Sequence, residues 1–263
     1  MNKPKKAEYR QRAHVNPLND SDSMKYPVSP WHVDWKQMYP ENLEELKLNT
    51  PEYPIGFPET PVHAAEEAVT SWGVPDFLDV GCGFGGLSVA LAREFPDKRT
   101  LGFEIRTKVT NYVGERIRSL RMEAAAVPEG KKEYQNVAVL RSNSMKHLVN
   151  FVPKGSCEKM FFCFPDPHFK KTTHRRRIVH DSLISTYAYV LKPGGLLYFV
   201  TDVIDLFEWM SGVLQRATGL FEAVEGVNEE NELCVKLICN ETEESKKVNR
   251  GGHPKYFAVF RRL

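Results

Sequence analysis

Five residues each follow an apolar run at the point where the chain leaves a predicted strand: Gly81, Glu104, Asn143, Asp166 and Asp202. Because the carboxyl ends of parallel strands meet at one edge of an open α/β sheet, we expect these residues to surround a single cleft. An acid after the second strand can accept hydrogen bonds from ribose hydroxyls, and glycines after the first strand allow a ligand to approach the backbone. The pattern predicts a site for a nucleoside-containing cofactor.

The segment 77–86, Phe-Leu-Asp-Val-Gly-Cys-Gly-Phe-Gly-Gly, joins a buried strand to an amphipathic helix through a glycine-rich turn. Gly81, Gly83 and Gly86 satisfy the G-x-G-x-x-G spacing of dinucleotide-binding proteins, so a dehydrogenase is one interpretation. The turn is also typical of S-adenosylmethionine-dependent methyltransferases. No Tyr in the chain is followed by Lys four residues later. The absence of this proton-donating pair, usual in short-chain dehydrogenases, disfavours the first interpretation.

Asp166 lies between two prolines at the end of a buried aromatic run. Proline fixes its own backbone and restricts the residue before it, so the direction of the carboxylate is fixed. A rigid turn capped by an aspartate is the alternative. His168, Lys170 and further cations follow, and they would lead an anionic substrate towards Asp166. Taken singly, Asn143 and Asp202 also fit the role of a helix cap or turn residue.

Length and composition fit one α/β domain with extensions: 263 residues, 41% hydrophobic and 27% charged. The sequence contains no apolar run long enough for a membrane span and no secretory pattern in its first residues. The five cysteines include no C-x-x-C pair. We therefore expect a reducing compartment, no disulfide framework and no metal site.

The net charge of +2 conceals three basic clusters. Residues 1–14 hold five Lys or Arg against one Glu, residues 168–177 hold five without an acid, and residues 246–263 hold six without an acid. The rest of the chain is therefore net acidic. Cations concentrated in this way predict a surface for a polyanion such as RNA. For the two termini, basic tails that only promote solubility are the alternative.

Apolar strands and amphipathic helices alternate from Phe77 onward, which is typical of a parallel sheet. Residues 1–60 are rich in proline and lack this periodicity, so we divide the chain into an N-terminal arm (1–60) and an α/β domain (61–263). Predicted strands cover 77–80, 100–103, 137–140, 160–164, 196–200 and 256–261. The last of them is predicted to be antiparallel at the sheet edge. The segment 193–195, Pro-Gly-Gly, is predicted to end the helix before the fifth strand.

Four motifs together resemble the tRNA (guanine-N7)-methyltransferase family, in particular the catalytic subunit of its eukaryotic two-subunit form. They are 79–86 (DVGCGFGG), 102–106 (GFEIR), 141–147 (RSNSMKH) and 161–171 (FFCFPDPHFKK), together with the arm 9–14 and the ending 260–262. The resemblance implies that 61–263 form a seven-stranded, mostly parallel, Rossmann-like S-adenosylmethionine-dependent methyltransferase sheet with helices on both faces.

The resemblance also implies the reactants and partners. The methyl donor is S-adenosyl-L-methionine, and the acceptor is N7 of a guanosine in the variable loop of tRNA. A WD-repeat β-propeller protein is implied as non-catalytic subunit of a heterodimer. The implied location is the nucleus, with the cytoplasm as an additional compartment.

Individual residues receive roles from the matched motifs. Residues implied to bind the cofactor are Gly81 and Gly83 (methionine part), Glu104 (ribose), Ile105, Arg106, Asn143 and Ser144 (adenine), Cys163 (pocket lining), and Thr242 and Glu244. The last two match a Thr/Glu motif in a register defined to within one or two residues. Asp166 is the predicted catalytic residue. Residues expected to bind the tRNA are His168, Lys170, Lys171, Arg175 and Asp202.

Guanine N7 carries an in-plane lone pair and no proton, so its methylation needs no general base. The methyl group of a sulfonium is already activated, so alignment of the two reactants is the main task. The methylated guanine is cationic, and a carboxylate that accepts hydrogen bonds from the base gains strength as this charge develops. We predict that Asp166 has this role.

Three alternatives remain at this point. The same fold could methylate another RNA. The protein could also be an N6-adenine or protein-amide methyltransferase. Those enzymes usually carry Asn/Asp-Pro-Pro-aromatic where this chain has Asp-Pro-His, which disfavours this alternative. A non-catalytic RNA-binding subunit is disfavoured by the intact glycine turn, Glu104 and Asp166.

Overall fold

The computed structural model describes residues 3–11, 24–40, 56–64, 69, 73–127 and 133–263. Within them, the strands of one seven-stranded sheet are β1 Phe77–Val80, β2 Thr100–Glu104, β3 Val137–Arg141, β4 Cys157–Cys163, β5 Leu191–Thr201, β6 Phe221–Ala223 and β7 Tyr256–Arg262. Their order is β3-β2-β1-β4-β5-β7-β6. Neighbouring strands are parallel except for β7, which runs antiparallel to both β5 and β6. The predicted fold class is confirmed.

Helices connect most of these strands. The α-helices of the described chain are α1 Gly86–Glu94, α2 Thr107–Ala125, α3 Ser144–Phe151, α4 Asp181–Val190, α5 Ile204–Arg216, α6 Leu233–Asn240 and α7 Glu243–Gly251. Short 3₁₀ helices cover Lys6–Tyr9, Pro30–His32, Trp35–Gln37 and Lys171–Arg176. Among the residues that the structure describes, no helix is both long and apolar enough to cross a membrane.

The sheet is buried on both faces, which explains the continuous apolar runs of its central strands. Successive side chains of a strand point to opposite faces. In β4, Met160 and Phe162 pack in the core formed with α3, α4 and α5, whereas Phe161 packs with α1 and α6 on the other face. Helix α2 covers the same face as α1, through Tyr112 and Ile117.

The order of the strands reverses between β1 and β4, which are parallel neighbours with Asp79 opposite Phe161. In an open α/β sheet, the loops at such a point diverge and leave a crevice at the carboxyl ends of the strands. The loop after β1 is the glycine turn, and the loop after β4 contains Asp166. The topology therefore brings the glycine turn and the Asp166 loop to opposite sides of one crevice.

Two predictions about the sheet are wrong. Strand β7 is antiparallel as predicted, but it lies between β5 and β6, so the short strand β6 forms the edge. Strand β5 begins at Leu191, immediately after α4, and includes the segment 193–195 that was predicted to precede it. A large bulge accommodates this segment: Cys157 lies opposite Leu191, but Lys159 lies opposite Leu196.

Part of the predicted arm contributes to the core of the sheet domain. Trp35, Met38 and Tyr39 are buried in it. The hydroxyl of Tyr39 donates a hydrogen bond to the carbonyl of Thr100 (3.2 Å), and the buried guanidinium of Arg121 donates one to the carbonyl of Met38 (3.1 Å). The division at residue 60 stays a prediction, and the last part of the arm motif, 12–14, lies outside the described residues.

Candidate active site

The turn between β1 and α1 holds three glycines in the left-handed region, with φ of 77° at Gly81, 54° at Gly83 and 75° at Gly85. Among the described residues, a Cβ built on Gly81 would meet no atom within 4 Å, and one on Gly83 would meet only Arg106 Nη2, at 3.9 Å. The backbone at Gly81 and Gly83 is therefore open to close approach by a ligand. This cradle fits the predicted position of both glycines under a cofactor.

Gly85 and the following Gly86 are required for a different reason. A Cβ on Gly85 would lie 2.8 Å from Val113 Cγ1 of α2. One on Gly86 would collide with the carbonyl oxygen of Glu241 and would lie 2.8 Å from Glu243 Oε2. These two glycines allow α1 to pack closely against α2 and against the start of α7.

Glu104, at the end of β2, is buried, and its carboxylate is held by the surrounding backbone. Its Oε2 accepts hydrogen bonds from the N–H of Gly83 (3.1 Å) and from Arg106 Nη2 (2.9 Å). Its Oε1 accepts from the N–H groups of Ile105 (2.9 Å) and Arg106 (3.0 Å) and from Arg106 Nε (3.1 Å). The acid predicted to bind ribose is therefore fixed directly beside the glycine turn.

Asp79 is a second buried acid under the turn, and the sequence analysis did not select it. Its Oδ2 accepts a 2.6 Å hydrogen bond from the hydroxyl of Ser88 on α1. Burial raises the pKa of Asp79 to about 7, although the Ser88 hydrogen bond acts in the opposite direction. An aspartate inside an otherwise apolar strand was the signal that could have identified it.

Asn143 and Ser144 follow β3, next to the end of β2. Both are buried, and the N–H of Ser142 donates a hydrogen bond to the carbonyl of Glu104 (3.1 Å). Asn143 is the N-cap of α3, because its Oδ1 accepts from the N–H of Met145 at 3.1 Å. The structure therefore gives Asn143 the capping role and also places it beside the end of β2, where Glu104 lies.

The segment after β4 has an unusual backbone. Phe164 and His168 have φ of 48° and 45°, a region that side chains other than glycine rarely adopt. Asp166 lies between them, and its Oδ1 accepts the N–H of His168 at 3.1 Å. Strained residues of this kind concentrate at functional sites.

Cys163 ends β4, and burial raises the pKa of its thiol well above the ordinary value, so it is unsuited to act as a nucleophile.

Asp202 follows β5 and is exposed. The pKa of Lys247 on α7 is raised, chiefly by the hydrogen bond that Lys247 donates to Glu244 and to a smaller extent by the negative charge of Asp202. Each of the five residues that the sequence analysis singled out therefore lies at the carboxyl end of one of the parallel strands β1 to β5. The order of the strands places these residues along the edge of the sheet in the spatial order Asn143, Glu104, Gly81, Asp166 and Asp202.

The Thr-Glu-Glu triplet begins helix α7, and its middle residue contacts the glycine turn. Thr242 caps the helix, with its hydroxyl accepting the N–H of Ser245 at 2.8 Å. Glu244 is half-exposed and pairs with Lys247 at 2.7 Å. Glu243 is more buried, and its Oε2 accepts the N–H of Gly86 at 3.2 Å. The sequence analysis did not select Glu243, although it lies within the stated register of the motif.

The internal basic cluster is the exposed set Lys170, Lys171, Arg175 and Arg176, in and before the 3₁₀ helix after β4. Within the described residues, none of the four has a carboxylate at ion-pair distance. Arg177 does not belong to this surface, contrary to the sequence-based grouping. It is buried, its Nε donates to the carbonyl of Pro167 (2.9 Å), and its guanidinium lies 4.8 Å from the ring centre of Trp209.

The C-terminal basic cluster differs, because three of its six cations already pair with a carboxylate. Lys246 pairs with Glu241 at 2.8 Å, Arg261 pairs with Glu222 at 3.0 Å, and Lys247 pairs with Glu244. Polyanion binding is therefore better supported by the internal basic cluster.

No group of three or more His, Cys, Asp or Glu residues in the described ranges could hold a metal ion.

Comparison with known proteins defines the class. A family model described as "Putative methyltransferase" matches residues 74–258. A solved structure entitled "Structure of an antibiotic related Methyltransferase" has a similar fold, with a TM-score of 0.50 and 16% identity over 78% of this chain and 97% of that chain. The fold and the family model together define a methyltransferase.

Curated relatives define the family more closely. A "tRNA (guanine-N(7)-)-methyltransferase" from Kluyveromyces lactis is 47% identical over 99% of this chain and 84% of that protein. Proteins with the same name from Mus musculus and Homo sapiens are 47% and 45% identical, over 99% of this chain and 91% and 88% of theirs. The chain belongs to the tRNA (guanine-N7)-methyltransferase family, which confirms the resemblance found in the sequence.

Proposed function

We propose that this chain transfers a methyl group from S-adenosyl-L-methionine to N7 of a guanosine in the variable loop of tRNA, forming 7-methylguanosine. One observation carries the proposal within this family. The glycine turn with Glu104 and the strained Asp166 segment face the same crevice, where the order of the strands reverses between β1 and β4.

The cofactor half of the site consists of residues that suit an S-adenosyl group. Gly81 and Gly83 offer an open backbone, and the Glu104 carboxylate, which accepts five hydrogen bonds, is proposed to exchange those from the Arg106 side chain for ribose hydroxyls. Ile105, Arg106, Asn143 and Ser144 are proposed to flank the adenine, Cys163 to line the pocket, and Thr242 and Glu244 to contact the cofactor. The bound sulfonium supplies the electrophilic methyl group.

Asp166 is proposed to act on the acceptor base. The N7 lone pair attacks directly, so the protein has to orient the guanine and to stabilise the positive charge that it acquires. A carboxylate that accepts hydrogen bonds from guanine N–H groups does both, and its contribution increases towards the transition state. The two flanking prolines and the hydrogen bond from the His168 N–H hold the carboxylate in place.

The tRNA is proposed to bind along the internal basic cluster, with His168, Lys170, Lys171, Arg175 and Asp202 near the substrate. Exposed Lys and Arg side chains contact phosphates and fix the position of the nucleic acid without reading its sequence. The target base leaves its stack to reach Asp166, at a cost of a few kcal/mol, which phosphate contacts on both sides can offset.

A WD-repeat β-propeller protein is proposed as non-catalytic subunit, and the nucleus and cytoplasm as compartments. One apolar surface supports a protein partner: Tyr26, Val28, Trp31 and Val149 are exposed around α3, where the Tyr26 ring stacks on His147 at 3.9 Å. Val28→Asp with Val149→Asp should weaken binding of a propeller subunit in size-exclusion chromatography. The exposed Val127→Asp is the control. If both variants bind the propeller subunit equally well, this surface is not its binding site.

A methylation assay tests the proposed function. The purified chain, with and without a propeller subunit, is incubated with bulk tRNA and a tritiated methyl donor, and the nucleosides are separated. We expect tritium in 7-methylguanosine. Label in another nucleoside would favour the same fold with a different RNA target. Binding of tRNA without label under both conditions would favour a non-catalytic RNA-binding subunit.

A further inference from the structure

Phe169 is exposed to an extent that the fold does not require. Its side chain is 74% exposed, and among the large hydrophobic side chains that the structure describes only Val28, at 75%, is more exposed. Within the same residues it has no ring or cation stacked on it. The core gains nothing from this ring, so any role for it lies at the surface.

The backbone that presents Phe169 is rigid on both sides. His168, immediately before it, has a φ of 45° and donates its N–H to Asp166. Lys170, immediately after it, accepts hydrogen bonds at its carbonyl from the N–H (2.8 Å) and the hydroxyl (2.7 Å) of Thr173. The Arg177 guanidinium then ties the end of the segment to Pro167. The ring is therefore held outwards by an ordered segment, which lowers the entropic cost of any contact it makes.

The charges around Phe169 indicate the kind of partner. The internal basic cluster begins at the next residue and brings four exposed cations without described acidic partners. A hydrophobic protein surface would not favour this environment. Single-stranded nucleic acids are bound by this combination of an aromatic ring, on which a base stacks, and cations that contact the backbone phosphates.

We propose that Phe169 is a base-stacking residue: an unstacked RNA base packs against its ring while Asp166 engages the target guanine. The inference extends the proposed function, because it assigns the side chain that accommodates a base when the target guanosine leaves its stack. The occupant is either the target guanine or the base beside it. Stacking tolerates every base, so Phe169 contributes to holding the open conformation of the RNA and not to reading its sequence.

The first test compares F169A and F169W with Y189A, which removes another exposed aromatic ring, from α4. We expect F169A to weaken tRNA binding on the order of 10- to 100-fold, the effect of losing one stacked base. F169W should retain binding, and Y189A should match the wild type. Affinity for S-adenosylmethionine and the melting temperature should not change in any of them, because Phe169 is not part of the core.

The salt dependence of tRNA binding separates stacking from charge. F169A should keep the wild-type salt slope, because it removes no phosphate contact, whereas Lys170→Gln with Lys171→Gln should flatten it. A tRNA with an abasic site next to the target distinguishes the two occupants. If the neighbouring base stacks on Phe169, F169A has no further effect on this RNA; if the target guanine stacks, the effect remains.

Several results would overturn the inference. Wild-type tRNA affinity in F169A would exclude a stacking role. Full activity in F169L would show that any apolar bulk suffices. If F169A weakened binding of a propeller subunit and left tRNA binding unchanged, the ring would be a protein contact. The proposed function is tested separately: a wild-type chain that binds tRNA through Phe169 but never methylates it would contradict that function and not the stacking.

Discussion

Glu243 caps helix α1 from the distant end of the chain: its Oε2 accepts a 3.2 Å hydrogen bond from the backbone N–H of Gly86. The local N-cap residue, Gly85, has no side chain for this purpose. Oε1 of the same carboxylate accepts from Arg116 Nη1 (2.9 Å) and Lys6 Nζ (3.0 Å). A carboxylate favours the positive end of the helix dipole. One residue therefore joins the glycine turn to α2, α7 and the N-terminal segment.

Glu243→Gln should weaken binding of S-adenosylmethionine about tenfold, because the glycine turn loses the charge that fixes its conformation, and tenfold corresponds to about 1.4 kcal/mol. Burial acts to raise the pKa of Glu243, but Lys6 and Arg116 outweigh it and hold the pKa below its ordinary value. The carboxylate is therefore ionised at neutral pH, and the variant removes a real charge. Calorimetric titration with the donor measures the effect.

Glu241→Gln is the matched control for this prediction. Glu241 lies two residues away and pairs with Lys246 (2.8 Å) and, more distantly, with Arg93 near the end of α1 (4.0 Å), and none of the contacts described for its carboxylate is with the turn. It should bind the donor as the wild type does. If both variants bind the donor equally well, Glu243 has no role in positioning the turn.

The position of Glu243 shows why part of the site could not be predicted. Gly81, Glu104, Asn143, Asp166 and Asp202 follow strands directly, so the alternation of elements was enough to bring them to one edge. Glu243 reaches the turn through a helix that packs across the sheet, and no local pattern encodes that contact. The distinction between exposed cations and the buried Arg177 likewise depends on tertiary packing, since all have the same charge in the sequence.

Asp79 predicts a specific pH dependence of stability. Its pKa is raised to about 7 in the folded protein by burial, whereas an unfolded aspartate titrates near pH 3.8. Between these values the folded state holds one more proton than the unfolded state, so this group's contribution to the free energy of unfolding falls as the pH rises. Above about pH 7 the contribution becomes constant.

Asp79→Asn removes this titration. Relative to the wild type, the variant should gain about 1.4 kcal/mol in the free energy of unfolding per pH unit between pH 4 and 7, and nothing beyond. Urea unfolding of both proteins across pH 4.5 to 8.5 gives the difference. A difference that does not change with pH would show that Asp79 is ionised throughout.

The internal basic cluster should determine how salt affects tRNA binding. Replacing Lys170, Lys171 and Arg175 with Gln should reduce the slope of log affinity against log salt by about 0.9 per lost contact to duplex phosphate, or about 0.7 to a single strand. Donor binding and melting temperature should stay at wild-type values. An unaltered slope would exclude these residues as phosphate contacts.

Arg177→Gln serves as the contrasting variant in the same experiment. Arg177 packs on Trp209 and donates to Pro167, so its loss should lower stability by roughly 1–3 kcal/mol, as for a hydrogen bond from a charged group. Its effect should appear in the melting temperature. If Arg177→Gln instead reduced the salt dependence of tRNA binding and left the melting temperature unchanged, Arg177 would be a phosphate contact and not a structural residue.

The existence of most strands was easier to predict from the sequence than the residues at which they begin and end. Long apolar runs predicted β1 to β4 and most of β5, because both faces of these strands are buried. The last strand, β7, was predicted from the period-two alternation of residues 256–261, and it is only partly buried. Strand β6 was missed because only Phe221 among its three residues is buried. The start of β5 was missed because Pro193 and the two glycines after it are typical of a loop, whereas here they form a bulge that keeps the chain in the sheet.

Asp166 carries the central claim of the mechanism, and Asp166→Asn is the variant that isolates it. The amide has the size of the carboxylate and can still accept the N–H of His168 through its oxygen, so the segment should keep its conformation. It lacks the negative charge that is proposed to stabilise the cationic guanine. Donor affinity, tRNA affinity and melting temperature should therefore stay near wild-type values.

The most direct measurement is the single-turnover rate of methyl transfer to tRNA, with enzyme and donor saturating. The charge of Asp166 is expected to act in the transition state, so Asp166→Asn should lower this rate by about 10²-fold or more, and Asp166→Ala at least as much. A rate near the wild-type value in Asp166→Asn would contradict the assignment, and Asp202 would become the leading candidate.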